Sequence, residues 1–325
     1  MSIDLVLNNL LSPPILFFLL GVFATLVKSD LEMPTQVARF LSLYLLFAIG
    51  IKGGYKLSQS EFSPEMLWML GAATATSFII PIWCFAILKR KLSAADAAAI
   101  AATYGSVSAV TFITAVDFLD TLEVGYSGHM IAAMALMESP AIVIGVLLAR
   151  WFGDRQEGQG LDWGELGREA FLNGSVLVLM GSMLIGLVTA SKGWASVQPL
   201  AEDPFKGVLC LFLLDMGLVA AKRIKDMRDS GVVLVAFSIL AAVVHAMLGI
   251  GIARLIGASE GDALLLAALV GGASYIAVPA AVRLAIPKAN PSLYVPMALG
   301  LTFPFNVIIG IPLYYAVIQA IWSST

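Results

Sequence analysis

Two short runs, Thr103-Tyr104-Gly105-Ser106-Val107-Ser108 and Gly271-Gly272-Ala273-Ser274, place glycines and small hydroxyls inside stretches that are otherwise apolar. Glycine lets a helix unwind, and Pro279, just after the second run, removes a backbone donor. Helices interrupted at these points would aim unpaired N–H groups and the positive ends of their dipoles at the gap, which favours an anion. Unwound carbonyls and the hydroxyls of Ser106, Ser108, Thr111 and Ser274 offer oxygen to a hard cation such as Na+. The candidate anion site is therefore Gly105, Ser106, Val107, Ser108, Gly271, Gly272, Ala273 and Ser274. Candidate Na+ ligands are Ser108, Thr111, Glu138, Ser274, Thr302 and Asn306. Either run alone fits better as small residues allowing close helix packing. A site is favoured because the two runs occupy equivalent places in a repeat.

That repeat spans most of the chain. Asp96–Asp117 (DAAAIAATYGSVSAVTFITAVD) reappears as Asp262–Arg283 (DALLLAALVGGASYIAVPAAVR), with Asp96, Gly105 and Ser108 matching Asp262, Gly271 and Ser274. Phe47–Gly54 echoes Leu214–Ala221, and Glu138-Ser139-Pro140 echoes Thr302-Phe303-Pro304. The copies differ in polar decoration: Ser106, Thr111 and Glu138 face Gly272, Ala277 and Thr302. Cation coordination is accordingly expected to rest mostly on the first half.

The elements that must carry these runs follow from composition. Hydrophobic residues make up 59% of the 325 residues and charged ones 13%, and the mean hydropathy is +0.91. A soluble core cannot absorb that much apolar surface, whereas a bilayer can. Stretches of roughly 17–25 apolar residues give ten spans, near Ser12–Val27, Val37–Leu57, Glu65–Leu88, Asp96–Phe118, Ser127–Trp151, Phe171–Ala190, Phe205–Arg223, Gly231–Ile256, Asp262–Leu284 and Leu293–Ile321. Ser12-Pro13-Pro14, Ser63-Pro64 and Asn290-Pro291 read as caps followed by helix starts. The expectation is an all-α integral membrane protein, with a first five-helix repeat over 1–152, a cytoplasmic linker over 153–170 and a second repeat over 171–325. Because five is odd, the second repeat enters the bilayer inverted. Spans 4 and 9 are broken, which is the sequence sign of a secondary transporter.

With the N-terminus outside, 14 of the 19 basic residues fall on the inside, among them Lys89, Arg90, Lys91, Arg155, Lys222, Arg223, Lys225, Arg228 and Arg283. Lys52, Lys56, Lys192, Lys206 and Arg254 remain outside. Both termini should be extracytoplasmic, in a cell inner (plasma) membrane. No lysine or arginine falls at the centre of a span, so an anion would be held by dipoles and hydroxyls and balanced by a co-bound cation.

Ionisable groups inside the bilayer are costly, and Glu138, two residues before Pro140, is a candidate for the ion path. Asp215 has no acidic mate in the first half and is read as structural; His245, Cys84 and Cys210 are read as packing residues, and Asp117, Asp120, Glu123 and His129 as a solvated loop. No basic run is long enough for nucleic acid, and no His-Glu-x-x-His motif or paired intramembrane aspartate argues for an enzyme. Three transport readings compete: uptake of a small inorganic anion with Na+, a Na+-coupled symporter of a small organic acid, and an anion channel. Tyr104, Tyr275 and Phe303 near the break favour a small solute.

The run Pro279–Ser292, with Arg283-x-x-Ile286-Pro287-x-Ala289-Asn290-Pro291-Ser292, resembles the end of the ninth span in sodium-dependent bicarbonate transporters of the cyanobacterial SbtA type. Gly105-x-Val107-Ser108-x-x-Thr111 and Pro140-Ala141 are also similar, and the likeness extends over the whole chain. Where that family has a serine-rich break with an aspartate, this chain has Gly272, Ala273 and Tyr275. The resemblance implies ten helices in an inverted repeat, divided into a moving core and a gate domain, and a homotrimer. It also implies uptake of bicarbonate coupled to Na+, with no other cofactor, and a PII-like regulator on the cytoplasmic face.

Overall fold

The structure, a computed structural model, describes residues 7, 9–60, 63–153, 164, 167, 168, 172, 174–226 and 231–323. Most of the expected linker, Arg155 and Arg228 lie outside these residues, as does the side chain of Lys225. Among the described residues all regular structure is helical. The helices are α1 (Pro13–Leu26), α2 (Thr35–Ser58), α3 (Pro64–Leu88), α4 (Ala94–Gly105), α5 (Ala109–Thr121), α6 (His129–Glu138), α7 (Pro140–Phe152), α8 (Gly174–Ala201), α9 (Phe205–Asp226), α10 (Val232–Ile256), α11 (Glu260–Val270) and α12 (Ala277–Ala285). The last, α13 (Pro291–Trp322), contains π-helical turns at Met297–Thr302 and Asn306–Gly310. Pro296, Pro304 and Pro312 each remove a backbone donor there, and wider turns re-register the helix around the gaps.

Among the described residues, seven segments are long and apolar enough to cross a membrane: α2, α3, α4 with α5, α6 with α7, α8, α10 and α13. The chain is thus a multi-pass helical membrane protein. Three of the ten expected spans do not meet that measure by themselves. Helix α1 has 14 residues, α9 has 22 with charges near both ends, and α11 is separated from α12 by residues 271–276.

Start signals act through side chains at several helices. Ser63 accepts from Met66 N at 3.2 Å, Ser93 from Asp96 N at 3.1 Å, Ser259 from Asp262 N at 3.1 Å and Asn290 from Ser292 N at 3.0 Å. Ser12 precedes α1 without a side-chain cap. Helix α8 runs past its expected end, but Ala190 has φ 47° and breaks the axis there. Its final turns from Ser191 to Ala201 lie against α2, where Trp194 stacks on Tyr55 at 5.4 Å.

The broken helices occupy the middle of the molecule: 94% of the most apolar window within Ala94–Thr121 is buried, against 28% within α8. Helix α8 instead exposes Leu177, Leu184, Ile185 and Val188, and α1 exposes Leu16, Leu20 and Phe23, all suited to lipid. Two helix pairs cross at very close range. A Cβ on Gly217 of α9 would lie 2.1 Å from Phe18 O of α1, and one on Gly50 of α2 would lie 2.7 Å from Leu179 O of α8. Only glycine permits either approach.

Two aspartates tie loops to helix starts. Asp96, in the first turn of α4, accepts from Asn290 N at 2.8 Å, just ahead of α13. Asp262, in the first turn of α11, accepts from Ser127 N at 2.7 Å and Ser127 Oγ at 2.6 Å, just ahead of α6.

Candidate functional site

Helix α4 stops at Gly105 because Ser106 turns extended, with ψ −179°. Three residues later α5 begins, with Ser108 as its N-cap: Ser108 Oγ accepts from Thr111 N at 3.2 Å and Thr111 Oγ1 at 3.0 Å. Similarly α11 gives way after Val270, and Ser274 Oγ accepts from Val278 N at 3.3 Å as α12 starts. The two breaks touch. Ser274 N donates to Thr103 O at 2.9 Å, and a Cβ on Gly272 would stand 3.2 Å from Ser108 N. The N-termini of α5 and α12 therefore meet at one crossing, where first-turn N–H groups lack intrahelical acceptors.

A cavity of about 40 Å³ opens beside this crossing, room for a few water-sized atoms. Val107, Ser108 and Ser274 line it from the breaks, with Tyr275 next to them and Glu138 from the C-terminal end of α6. Among the described residues no lysine, arginine or histidine lines it. Ser42 of α2 and Ser175 of α8 add hydroxyls from the opposite wall, which is otherwise apolar through Leu45, Leu46, Leu179 and Phe212. Nothing in the sequence marks these two serines, because each stands alone in its run, without a mate in the repeat.

The other candidates stand around the cavity rather than in it. A Cβ on Gly105 would meet the Pro81 ring at 2.2 Å, so Gly105 lets α4 pack on α3. Ser106 Oγ donates to Glu138 O at 3.0 Å and pins the first break to the α6–α7 junction. Gly271 O accepts from Asn306 Nδ2 at 2.8 Å and pins the second break to α13; Ala273 is buried behind it. Thr111 sits behind Ser108. Thr302 Oγ1 donates to Ser238 O at 2.9 Å, so the 2.7 Å contact with Tyr104 Oη has the tyrosine as donor. Asn306 Oδ1 accepts from Tyr314 Oη at 2.8 Å. Thr302 and Asn306 thus spend their polar atoms on structure and do not line the cavity, whose oxygen-bearing side chains are those of Ser108, Glu138, Ser274, Tyr275, Ser42 and Ser175.

A second cavity of about 430 Å³ lies one turn further along α2 and α5, past Ile49 and Val116. Asp117 and Asp120, expected in a solvated loop, belong instead to the last turns of α5 and face it. Lys52 lies 3.0 Å from Asp120 and 3.5 Å from Glu202, and Lys206 lies 3.7 Å from Asp117. Nearby, Lys56 Nζ sits 3.3 Å over the Tyr126 ring, and burial pushes the Tyr126 phenol pKa up. His129, also expected in that loop, is buried at the start of α6. Asp215 is buried on α9 and lines neither cavity. His245 packs edge-on against Trp83 at 4.7 Å, with Nε2 3.8 Å from Cys84 Sγ.

A search of curated proteins gives no match to this chain. A protein-family model does match: that of the Na+-dependent bicarbonate transporter superfamily, over residues 13–319. This is a family of transporters and not of enzymes. With nearly its whole length matched, and two interrupted helices crossing in the middle of a helical membrane fold, the chain belongs to the Na+-dependent bicarbonate transporter superfamily.

Proposed function

We propose that the protein takes up bicarbonate, or a similarly small anion, together with Na+ by alternating access. The observation that carries this is the crossing itself: two helix N-termini meet at a cavity lined, among the described residues, by hydroxyls and one carboxylate but no basic side chain. Dipoles and N–H groups supply the anion's stabilisation there, and a Na+ held by Ser108, Glu138 and Ser274 oxygens would balance the charge. A cavity of about 40 Å³ favours a solute of a few heavy atoms over an organic acid. Its lining by Leu45, Leu46, Leu179 and Phe212 suits occlusion better than an open channel.

Ten helices in two inverted repeats, over 1–152 and 171–325 with a linker over 153–170, is the arrangement that best accounts for the paired features. Ser93 and Asp96 tied to Asn290 have counterparts in Ser259 and Asp262 tied to Ser127. The Gly217 crossing of α9 on α1 has its counterpart in the Gly50 crossing of α2 on α8. On this reading α1, α2, α8 and α9 form a wall against which the crossing bodies α4–α5 and α11–α12 move. Both termini then lie outside a plasma membrane. A homotrimer and a cytoplasmic PII-like regulator remain proposals carried by the family resemblance.

The test is uptake of labelled bicarbonate into proteoliposomes, with and without an inward Na+ gradient, for wild type and Ser108→Ala. Uptake should follow the gradient. Ser108→Ala, which removes both a cavity hydroxyl and a helix cap worth about 1 kcal/mol, should lower it several-fold. Flux indifferent to Na+ would overturn the coupling.

A further inference from the structure

One polar group at the crossing has no partner. The Tyr275 hydroxyl is buried at the cavity wall; among the described residues only the Ser108 hydroxyl stands beside it, without the geometry of a full hydrogen bond. Its ring is held against Phe303, with centroids 5.5 Å apart. A buried donor left unmade is costly, so an orphaned hydroxyl at a cavity wall indicates a ligand that completes it. Across the same cavity, the Glu138 side chain has no ion-pair or hydrogen-bond partner among the described residues; only its backbone carbonyl is engaged, by Ser106. The cavity thus presents one unfilled donor and one unfilled acceptor.

A solute that satisfies both must carry an acceptor oxygen and its own O–H. Hydrogencarbonate does; nitrate, equally flat and equally charged, has acceptors only and would leave the Glu138 carboxylate facing a second anion. Resting on the transport reading above, we propose that Tyr275 and Glu138 make the cavity selective for a protonated oxyanion. Tyr275 Oη donates to the charged oxygen of the solute, and one Glu138 carboxylate oxygen accepts its O–H while the other stays available to the co-bound Na+. Sites that hydrogen-bond a substrate O–H reject analogues lacking it far more strongly than sites that select by size alone.

The experiment is bicarbonate uptake in proteoliposomes with nitrate as competitor, for wild type, Tyr275→Phe and Glu138→Gln. In wild type a tenfold excess of nitrate should leave uptake nearly unchanged. Tyr275→Phe keeps the ring against Phe303 and should raise KM for bicarbonate roughly tenfold or more, as expected for loss of a buried hydrogen bond to a charged group. Glu138→Gln supplies an amide donor and should turn nitrate into a competitive inhibitor. Nitrate competing with the wild type as well as bicarbonate would overturn the proposal without any variant. So would a Tyr275→Phe protein that elutes as a single species with KM within twofold of wild type. Either result leaves the transport reading standing, whereas a wild type that moves no bicarbonate removes both.

Discussion

At the scale of single residues, the polar side chains divide by whether their hydrogen bonds are already spoken for. Asn306 donates to Gly271 O and accepts from Tyr314, and Thr302 bridges Tyr104 to Ser238 O. Their sequence positions, at mid-span and in register with Glu138, mark them as costly in hydrocarbon but do not reveal these partners. Such groups act on stability more than on ion binding. Asn306→Ala strands a buried carbonyl and a buried hydroxyl, and should destabilise by about 1–3 kcal/mol. That change would appear as a lower melting temperature in detergent, while the Na+ concentration for half-maximal uptake stays within about twofold. A large shift in Na+ dependence would instead return Asn306 to the list of direct ligands.

Elements were legible where the backbone itself had to be special. Glycines and serines at Gly105–Ser108 and Gly271–Ser274 announced two interruptions, and the helices stop at both. Ser63, Ser93, Ser259 and Asn290 cap helices by local chemistry that spacing alone reveals. What stayed hidden depends on distant chain: Ser42 and Ser175 reach the cavity only because α2 and α8 wall it. Asp117 and Asp120 read as loop because the lysines that pair with them lie on α2 and α9. The helix pairs provide a sharp test of close approach. Gly217→Ala would press a methyl group onto Phe18 O, separating α1 from α9. Overpacking of this kind costs typically 1–3 kcal/mol, so melting temperature should drop clearly. Gly207→Ala, on the same helix with nothing within 4 Å of the added atom, should be silent.

For the whole molecule, the reciprocal ties made by Asp96 and Asp262 have a consequence for how the chain can be assembled. The loop ahead of α13 is fastened by the first half, the loop ahead of α6 is fastened by the second, and the peptide of Ser274 is bonded to that of Thr103. Neither half completes its own backbone bonding, and α1 and α2 find their closest neighbours in α9 and α8. A gene divided between the codons for residues 153 and 174 should therefore yield two polypeptides that are degraded when made singly and recovered together when made in one cell. Affinity purification through a tag on one fragment checks this, the other fragment co-eluting at equal stoichiometry. Asp96→Ala and Asp262→Ala should each weaken that recovery, because each cuts a strand of the stitching that one fragment supplies to the other.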